Sequence, residues 1–280
     1  MGVHAGDFLV ERVDAAGAAA CVGLDPDVER MPTGLGDGAA GARVFCCGVI
    51  DAVCGLVPAV KPQSACFERF GSAGVATLEA VCGYARERGL VVVLDAKRGD
   101  IGVSARHYAR AGFDFGAHFM TVNAYLGMET IEPYLEAGLG VFALVRTSNP
   151  GSDAVQGARL EGGGTVAEMV GGQLGRLGEG YVGERGVSAV GAVVGATKAE
   201  VGSLRGLMPD GVMLVPGIGA QGGVIGNVRP LCRGGAKTVG EMGVLVSASR
   251  SVLYPGGDGD WQGGVRAAAE GFVEVVKGLG

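Results

Sequence analysis

Two rhythms of apolar and polar positions alternate along the chain: short apolar runs that stop at polar residues, and longer stretches with helical spacing. The strongest run is Leu90–Leu94, which leads straight into Asp95, Ala96, Lys97, Arg98, Gly99 and Asp100. A Val-rich run of this length reads as a strand buried on both faces. Side chains alternate along a strand, so Asp95 and Lys97 point the same way and Arg98 the opposite way. Charges that close a buried strand are costly unless they pair with one another or with a ligand. Arg98, facing away from them, reads as a structural or subunit contact.

The remaining elements follow in order. The N-terminal residues read as a short helix. Ala18–Leu24 predicts a strand that stops at Asp25-Pro26, and residues 39–55 predict a helix. Leu56–Val60 reads as a short strand ending at Lys61-Pro62. Ser72 is placed as the cap of a helix with Val75, Leu78, Val81 and Ala85 on one face and Gly89 closing it. After the Leu90 strand, Ser104–Ala111 predicts a helix and Ala117–Val122 a strand ending at Asn123. Gly127–Ala137 reads as a helix, and Val141–Val145 as a strand ending at Arg146-Thr147-Ser148. The polar, Gly-rich residues 149–164 read as a mobile loop. Residues 165–182 form a helical pattern interrupted by Gly171, Gly172 and Gly175, each costing up to about 1 kcal/mol relative to Ala. Ser188–Val194 is a strand ending near Thr197, and Lys198–Leu207 a helix. Val212–Val215 is a strand ending in PGIGAQGG, residues 216–223, with a short helix over 224–233. Gly243–Val246 is a strand ending at Arg250, and Val265, Ala269, Phe272, Val276 and Leu279 mark the last helix.

Eight strands, each followed by a helix-like segment, predict parallel pairing and a closed (β/α)8 TIM barrel, one domain over residues 1–280. An open doubly wound sheet is the alternative, disfavoured because no GxGxxG follows the first strand. In such barrels the active site sits at the C-terminal strand ends. Asp25, Lys61, Asp95, Lys97, Asn123, Ser148, Thr197, Gln221 and Arg250 all fall there.

Composition narrows the class. Hydrophobic residues make up 48% of the chain, enough for one large core. The net charge of −6 argues against nucleic acid or another general polyanion as partner. No run of 18 apolar residues occurs, which argues against a membrane span. No basic start followed by an apolar centre marks a signal peptide. The seven cysteines include no CxxC pair and read as reduced core residues of a cytoplasmic protein. Glycine, at 55 of 280 residues, far exceeds the usual share of about 7%, which predicts modest stability or local looseness around 155–185. His4, His107 and His118 are scattered, and no metal is expected. Asp95 and Asp100 are suitable Mg²⁺ ligands by type, but Lys97 between them competes for the site.

A phosphate signal comes next. PGIGAQGG supplies Gly217, Gly219, Gly222 and Gly223 after the seventh strand, and Arg250 follows the eighth. Loops after these strands often hold phosphate in this fold, through backbone N–H groups and a guanidinium.

Lys61, LDAKRGDIG at 94–102, TSNPG at 147–151, PGIGAQGG and Arg250 together resemble the orotidine 5'-phosphate decarboxylase family. DAKRGDIG with the long loop after TSNPG is similar to the family's second bacterial group. The resemblance runs from VGLDPD at 22–27 to SASRSVLYP at 247–255. The DxKxxD core is shared with related barrels such as keto-gulonate-phosphate decarboxylases; Lys61 and the full LDAKRGDIG string narrow it. The resemblance implies conversion of orotidine 5'-monophosphate to UMP and CO₂ in de novo pyrimidine biosynthesis, without a cofactor. Lys61, Asp95, Lys97 and Asp100 would form the catalytic charge network. Lys97 would protonate C6 of the pyrimidine, and Asp95 would sit against the substrate carboxylate. Asp100, with Ser104 beside it, would reach a neighbouring subunit's site, implying a homodimer with shared sites. Asp25 and Lys61 would touch the ribose hydroxyls, Ser148 the ring, and Gln221 and Arg250 the 5'-phosphate. The chain departs from the pattern at Ser247-Ala248-Ser249, where Asn-Ser-Ser is usual, and at Cys66, where an aromatic residue is common. The competing readings are an Mg²⁺-dependent sugar-phosphate enzyme and a phosphate-ligand barrel without turnover.

Overall fold

Eight parallel strands hydrogen-bond in chain order and close on themselves, β8 pairing back to β1. They are β1 Ala20–Leu24, β2 Ala59–Pro62, β3 Val91–Arg98, β4 Phe119–Val122, β5 Gly140–Arg146, β6 Val190–Val194, β7 Met213–Pro216 and β8 Val244–Ala248. The computed structural model describes residues 3–195, 202–217, 224–256 and 259–280. Around and beneath the barrel lie α1 Ala5–Ala16, α2 Gly38–Val53, α3 Ser64–Glu68, α4 Gly71–Glu87, α5 Gly102–Asp114, α6 Glu132–Glu136, α7 Val166–Glu179, α8 Gly202–Leu207, α9 Arg250–Leu253 and α10 Trp261–Lys277. This is the expected (β/α)8 barrel. Its strands are buried nearly throughout, as Val-rich apolar runs between two covering layers require.

Helix α1 lies beneath the barrel. Leu9, Val10 and Val13 are buried, Phe8 packs at a tilt against His118 just before β4, ring centroids 4.7 Å apart, and Asp14 accepts the Gly240 N–H at 2.7 Å ahead of β8.

Several boundaries differ from the pattern. The run at 56–60 is split: Leu56 and Val57 close the turn after α2 through bonds to the Val53 carbonyl. As a result β2 starts at Ala59 and carries Lys61 within it. The short α3 was not expected. Ser72 lies inside α4, and the buried face rotates to Gly74, Thr77, Leu78, Val81, Cys82 and Ala85, leaving Val75 exposed. Gly89 does close that helix, at φ 73°, a left-handed backbone that glycine adopts freely.

The expected helix over 127–137 is broken into a 3-10 turn at Met128–Thr130 and the short α6. Gly127 at φ 105° starts the break, and Pro133 in the first turn of α6 suits a new helix start. The 149–164 stretch carries its own order. Arg146 bonds Ser152 at 3.0 Å, and the Thr147 N–H donates to Gln156 at 2.7 Å. A capping box between Thr165 and Glu168 opens α7. The glycines of α7 mark close approach: a Cβ on Gly175 would lie 2.0 Å from the Leu207 carbonyl oxygen. The seven cysteines are free thiols. Among the described residues, no helix is long and apolar enough to cross a membrane.

Candidate active site

Strand β3 runs past its neighbours. The step from Leu94 to Arg98 faces only the step from Met120 to Val122 on β4, so the surplus forms a bulge. Within it Lys97 adopts φ 49°, a left-handed backbone that costs a residue with a Cβ about 1–2 kcal/mol. Two bonds hold this shape. The Lys97 N–H donates to Thr121 Oγ1 at 2.9 Å, and the Asn123 N–H donates to the Arg98 carbonyl at 2.7 Å. Asp95 and Lys97 therefore meet as alternation predicts, but through a bulge instead of a regular pleat.

Asp95 is the hub. Lys61 Nζ lies 2.6 Å from its Oδ2 and Lys97 Nζ lies 2.6 Å from its Oδ1. Gln63 donates to Oδ2 at 3.1 Å and Thr121 to Oδ1 at 2.8 Å. A carboxylate offers about four lone-pair sites, and these four donors from β2, β3, β4 and the residue after β2 fill them. Lys61 and Asp95 are both buried. Burial alone would discharge the Lys61 ammonium, but Asp95 and then Asp25 outweigh it and hold Lys61 above the usual lysine range. Burial would also raise the Asp95 carboxyl, yet Lys61 and then Lys97 pull it well below the usual carboxylate range. Both groups are charged at neutral pH.

A cavity of about 290 Å³ opens over this hub at the C-terminal end of the barrel. It brings together Asp25, Lys61, Asp95, Lys97, Ser148, Gly217 and Arg250 from the sequence-predicted set. Its cationic groups Lys61, Lys97 and Arg250 outnumber its carboxylates Asp25 and Asp95, so it suits an anionic ligand. Leu144, Val193 and Leu214 give it an apolar wall. Ser249 donates to Asp25 Oδ2. Asp25 Oδ1 is buried and accepts no hydrogen bond among the described residues, which leaves this carboxylate with unused acceptor capacity beside the cavity. Tyr254 ties the loop after β1 to the C-terminal end of α9: its hydroxyl accepts the Asp27 N–H at 2.7 Å and donates to the Asp25 carbonyl at 3.1 Å.

Three predicted residues do not line this cavity. Asp100 accepts the N–H of Ile101 at 2.8 Å at the entry to α5, and Ser104 is exposed on the first turn of that helix. Asn123 also faces elsewhere, its side chain accepting the Tyr125 N–H at 3.0 Å. Thr197, Gly219, Gln221, Gly222 and Gly223 lie outside the described residues. Arg98 points away from Lys97, ion-pairs with Glu68 and sits over the Tyr108 ring at 5.2 Å.

The profile of the Orotidine 5'-phosphate decarboxylase / HUMPS family matches residues 20–253. The chain belongs to this family. It is 38% identical to the orotidine 5'-phosphate decarboxylase of Rhodopirellula baltica, over 94% of this chain and 95% of that protein. It is 39% identical to that of Verminephrobacter eiseniae, over 94% of each. The solved Leishmania donovani OMP decarboxylase superposes with a TM-score of 0.79 at 31% identity, covering 99% of this chain and 98% of that one. The family match spans the barrel from β1 into α9 and thus contains the whole hub.

Sequence reasoning missed Gln63, Thr121 and Ser249, all of which line the cavity. Each had a faint signal. Gln63 shares strand phase with Lys61, Thr121 is the one hydroxyl in the run FMTV, and Ser249 precedes Arg250.

Proposed function

We propose that the Lys61–Asp95–Lys97 hub decarboxylates orotidine 5'-monophosphate, with Lys97 delivering the proton to C6. The overall reaction rests on the family: the chain is a carboxy-lyase that forms UMP and CO₂ in pyrimidine biosynthesis. The observation that carries the residue roles is the pair of ammonium groups held on one buried carboxylate inside a net cationic cavity. The C6–carboxylate bond breaks, its electron pair stays on C6, and CO₂ leaves. The ring offers no electron sink, so a fixed ammonium beside C6 must stabilise the developing charge. Lys97 then gives C6 its proton and regains one from solvent. Asp95 serves twice: it keeps Lys97 in place and presents negative charge to the departing carboxylate. Lys61 keeps Asp95 ionised and in register.

The remaining assignments belong to the same proposal. Asp25, on the cavity wall, suits a ribose hydroxyl, together with Lys61. Ser148 and the apolar wall suit the pyrimidine. Gly217 and Arg250 suit the 5'-phosphate, joined by Gln221, Gly219, Gly222 and Gly223. Remote phosphate contacts would supply binding energy for reaction at C6. No cofactor takes part in this scheme. The chain acts as one barrel domain over 1–280, in the cytoplasm, as a member of the family's second bacterial group. Asp100 and Ser104 serve a neighbouring subunit's site in a homodimer. This last reading is supported by the exposed apolar residues Ile101, Val103 and Tyr125 around them, a patch of the kind that marks interfaces.

A spectrophotometric assay of orotidine 5'-monophosphate with EDTA present tests the reading. Full turnover is expected; loss with the chelator would point to the Mg²⁺-dependent alternative. Lys97→Ala should abolish CO₂ release while UMP still binds, and near-native turnover would sink the mechanism. Mixing Lys97→Ala with Asp100→Ala chains should restore part of the activity, because some mixed dimers would hold one intact site. No recovery despite proven mixing would count against shared sites.

A further inference from the structure

Arg98 stands beside the proposed proton donor yet faces away from the cavity. Its guanidinium ion-pairs with Glu68 and covers the Tyr108 ring of α5. The Glu68 carboxylate also accepts the Ser64 hydroxyl, and that hydroxyl and then Arg98 hold Glu68 below the usual carboxylate range despite its partial burial. Ser64 and Glu68 are the two ends of α3, which begins directly after Lys61-Pro62-Gln63. The chain of contacts therefore links the end of β2, with Lys61 and Gln63, to the end of β3, with Asp95 and Lys97.

We infer that Arg98, clamped to Glu68, is a positioning residue that fixes the distance between the Lys61 and Lys97 arms of the hub. The inference rests on the catalytic role proposed for Lys97. Lys97 sits in a left-handed backbone, and such a residue persists only where its surroundings over-determine it. From the cavity side, Thr121 holds the Lys97 N–H. From the outer side, Arg98 is the next residue and takes the only carboxylate of α3. Its carbonyl also accepts the Asn123 N–H, so the side chain and the backbone of one residue anchor the bulge to two elements. An unclamped Arg98 would let the bulge relax toward a regular strand, turning Lys97 off Asp95. Both partners are partly exposed, where ion pairs add little to global stability. The clamp thus acts on geometry more than on folding.

Steady-state kinetics of the whole enzyme, with melting curves beside them, test this. Arg98→Ala and Glu68→Ala should each lower kcat by roughly tenfold to a hundredfold, the scale of a small misplacement of a reacting group. KM and Tm should stay near wild type. The double variant should lose no more than either single one, because both break the same contact. Arg98→Lys, which keeps the charge, and the charge swap Arg98→Glu with Glu68→Arg should each recover part of kcat. Additive losses, an unchanged kcat, or a rise in KM at constant kcat would each overturn the positioning role. An inactive wild-type enzyme would refute the decarboxylase reading itself. An active wild type with equally active Arg98 variants would refute the inference alone.

Discussion

The two ends of the barrel treat buried titratable groups in opposite ways. At the mouth, Lys61 and Asp95 are buried and charged, because each has an oppositely charged partner at 2.6 Å. At the floor, His118 lies against Phe8 of α1 and accepts the Val92 N–H at 3.0 Å through Nδ1. Among the described residues no carboxylate offsets its burial; burial and then Arg86 push its pKa from the ordinary 6.5 down to about 4. The mouth stores charge at the cost of strain in Lys97, whereas the floor keeps its polar group neutral and spends it on a backbone donor. The residues proposed for catalysis all lie at the end where charge is retained.

The comparison breaks most sharply at Lys61. Lys61→Ala would leave Asp95 buried with only Lys97 to offset it. Removing one partner of a buried pair costs about 3–5 kcal/mol of stability. The Asp95 pKa should rise, and turnover should fall with it because Lys97 loses its fixed anion. Thermal melts and kcat measured together check this. A variant as stable and active as wild type would mean that the mouth does not depend on paired charge. Lys61→Met, which keeps the apolar stem, should be no better, since the ammonium and not the stem holds Asp95.

The floor should respond to acid instead. The folded imidazole resists protonation down to about pH 4, whereas the unfolded one takes a proton below about 6.5. Stability from this group is therefore complete above pH 6.5 and is lost as pH falls toward 4, by a total on the order of 3 kcal/mol. His118→Asn keeps an acceptor for the Val92 N–H but cannot titrate. Denaturation midpoints across this window should slope less steeply for the variant, with kcat at neutral pH unchanged. Parallel slopes for the two proteins would remove His118 as the cause.

Much of this contrast was written in the sequence. The run Leu90–Leu94 followed by Asp95 and Lys97 exposed the mouth, because charges still on a buried strand are costly unless they pair with one another or with a ligand. The eight strand–helix units exposed the barrel. The bulge was not legible: lysine has no intrinsic preference for φ 49°, and the geometry comes from Thr121 and Asn123 on the next strand. Helix α3 was missed because five residues are too few to show a helical period. Lys61 appeared to end a strand at 56–60, because apolar turn residues after α2 look like strand residues until their hydrogen bonds are known. Asp100 fell on the expected motif but left this chain's own cavity, since the chain turns into α5 right after it.

The smallest effect, and the finest probe of the mouth, is expected at Thr121. Its hydroxyl has one proton, which goes to Asp95 Oδ1 at 2.8 Å, and its oxygen accepts the Lys97 N–H at 2.9 Å. Thr121→Val keeps the shape but leaves a backbone donor without its acceptor, at about 1–3 kcal/mol. The Lys97 backbone, already strained, loses one of the contacts that hold it. Asp95 still has Lys61, Lys97 and Gln63, so its charge persists and only its aim degrades. A fall in kcat of roughly tenfold is expected, with Thr121→Ser recovering most of it by restoring the hydroxyl. If Thr121→Val lowered stability but left kcat intact, the hydroxyl would be packing the barrel rather than aiming the lysine. The mouth would then differ from the floor in charge alone.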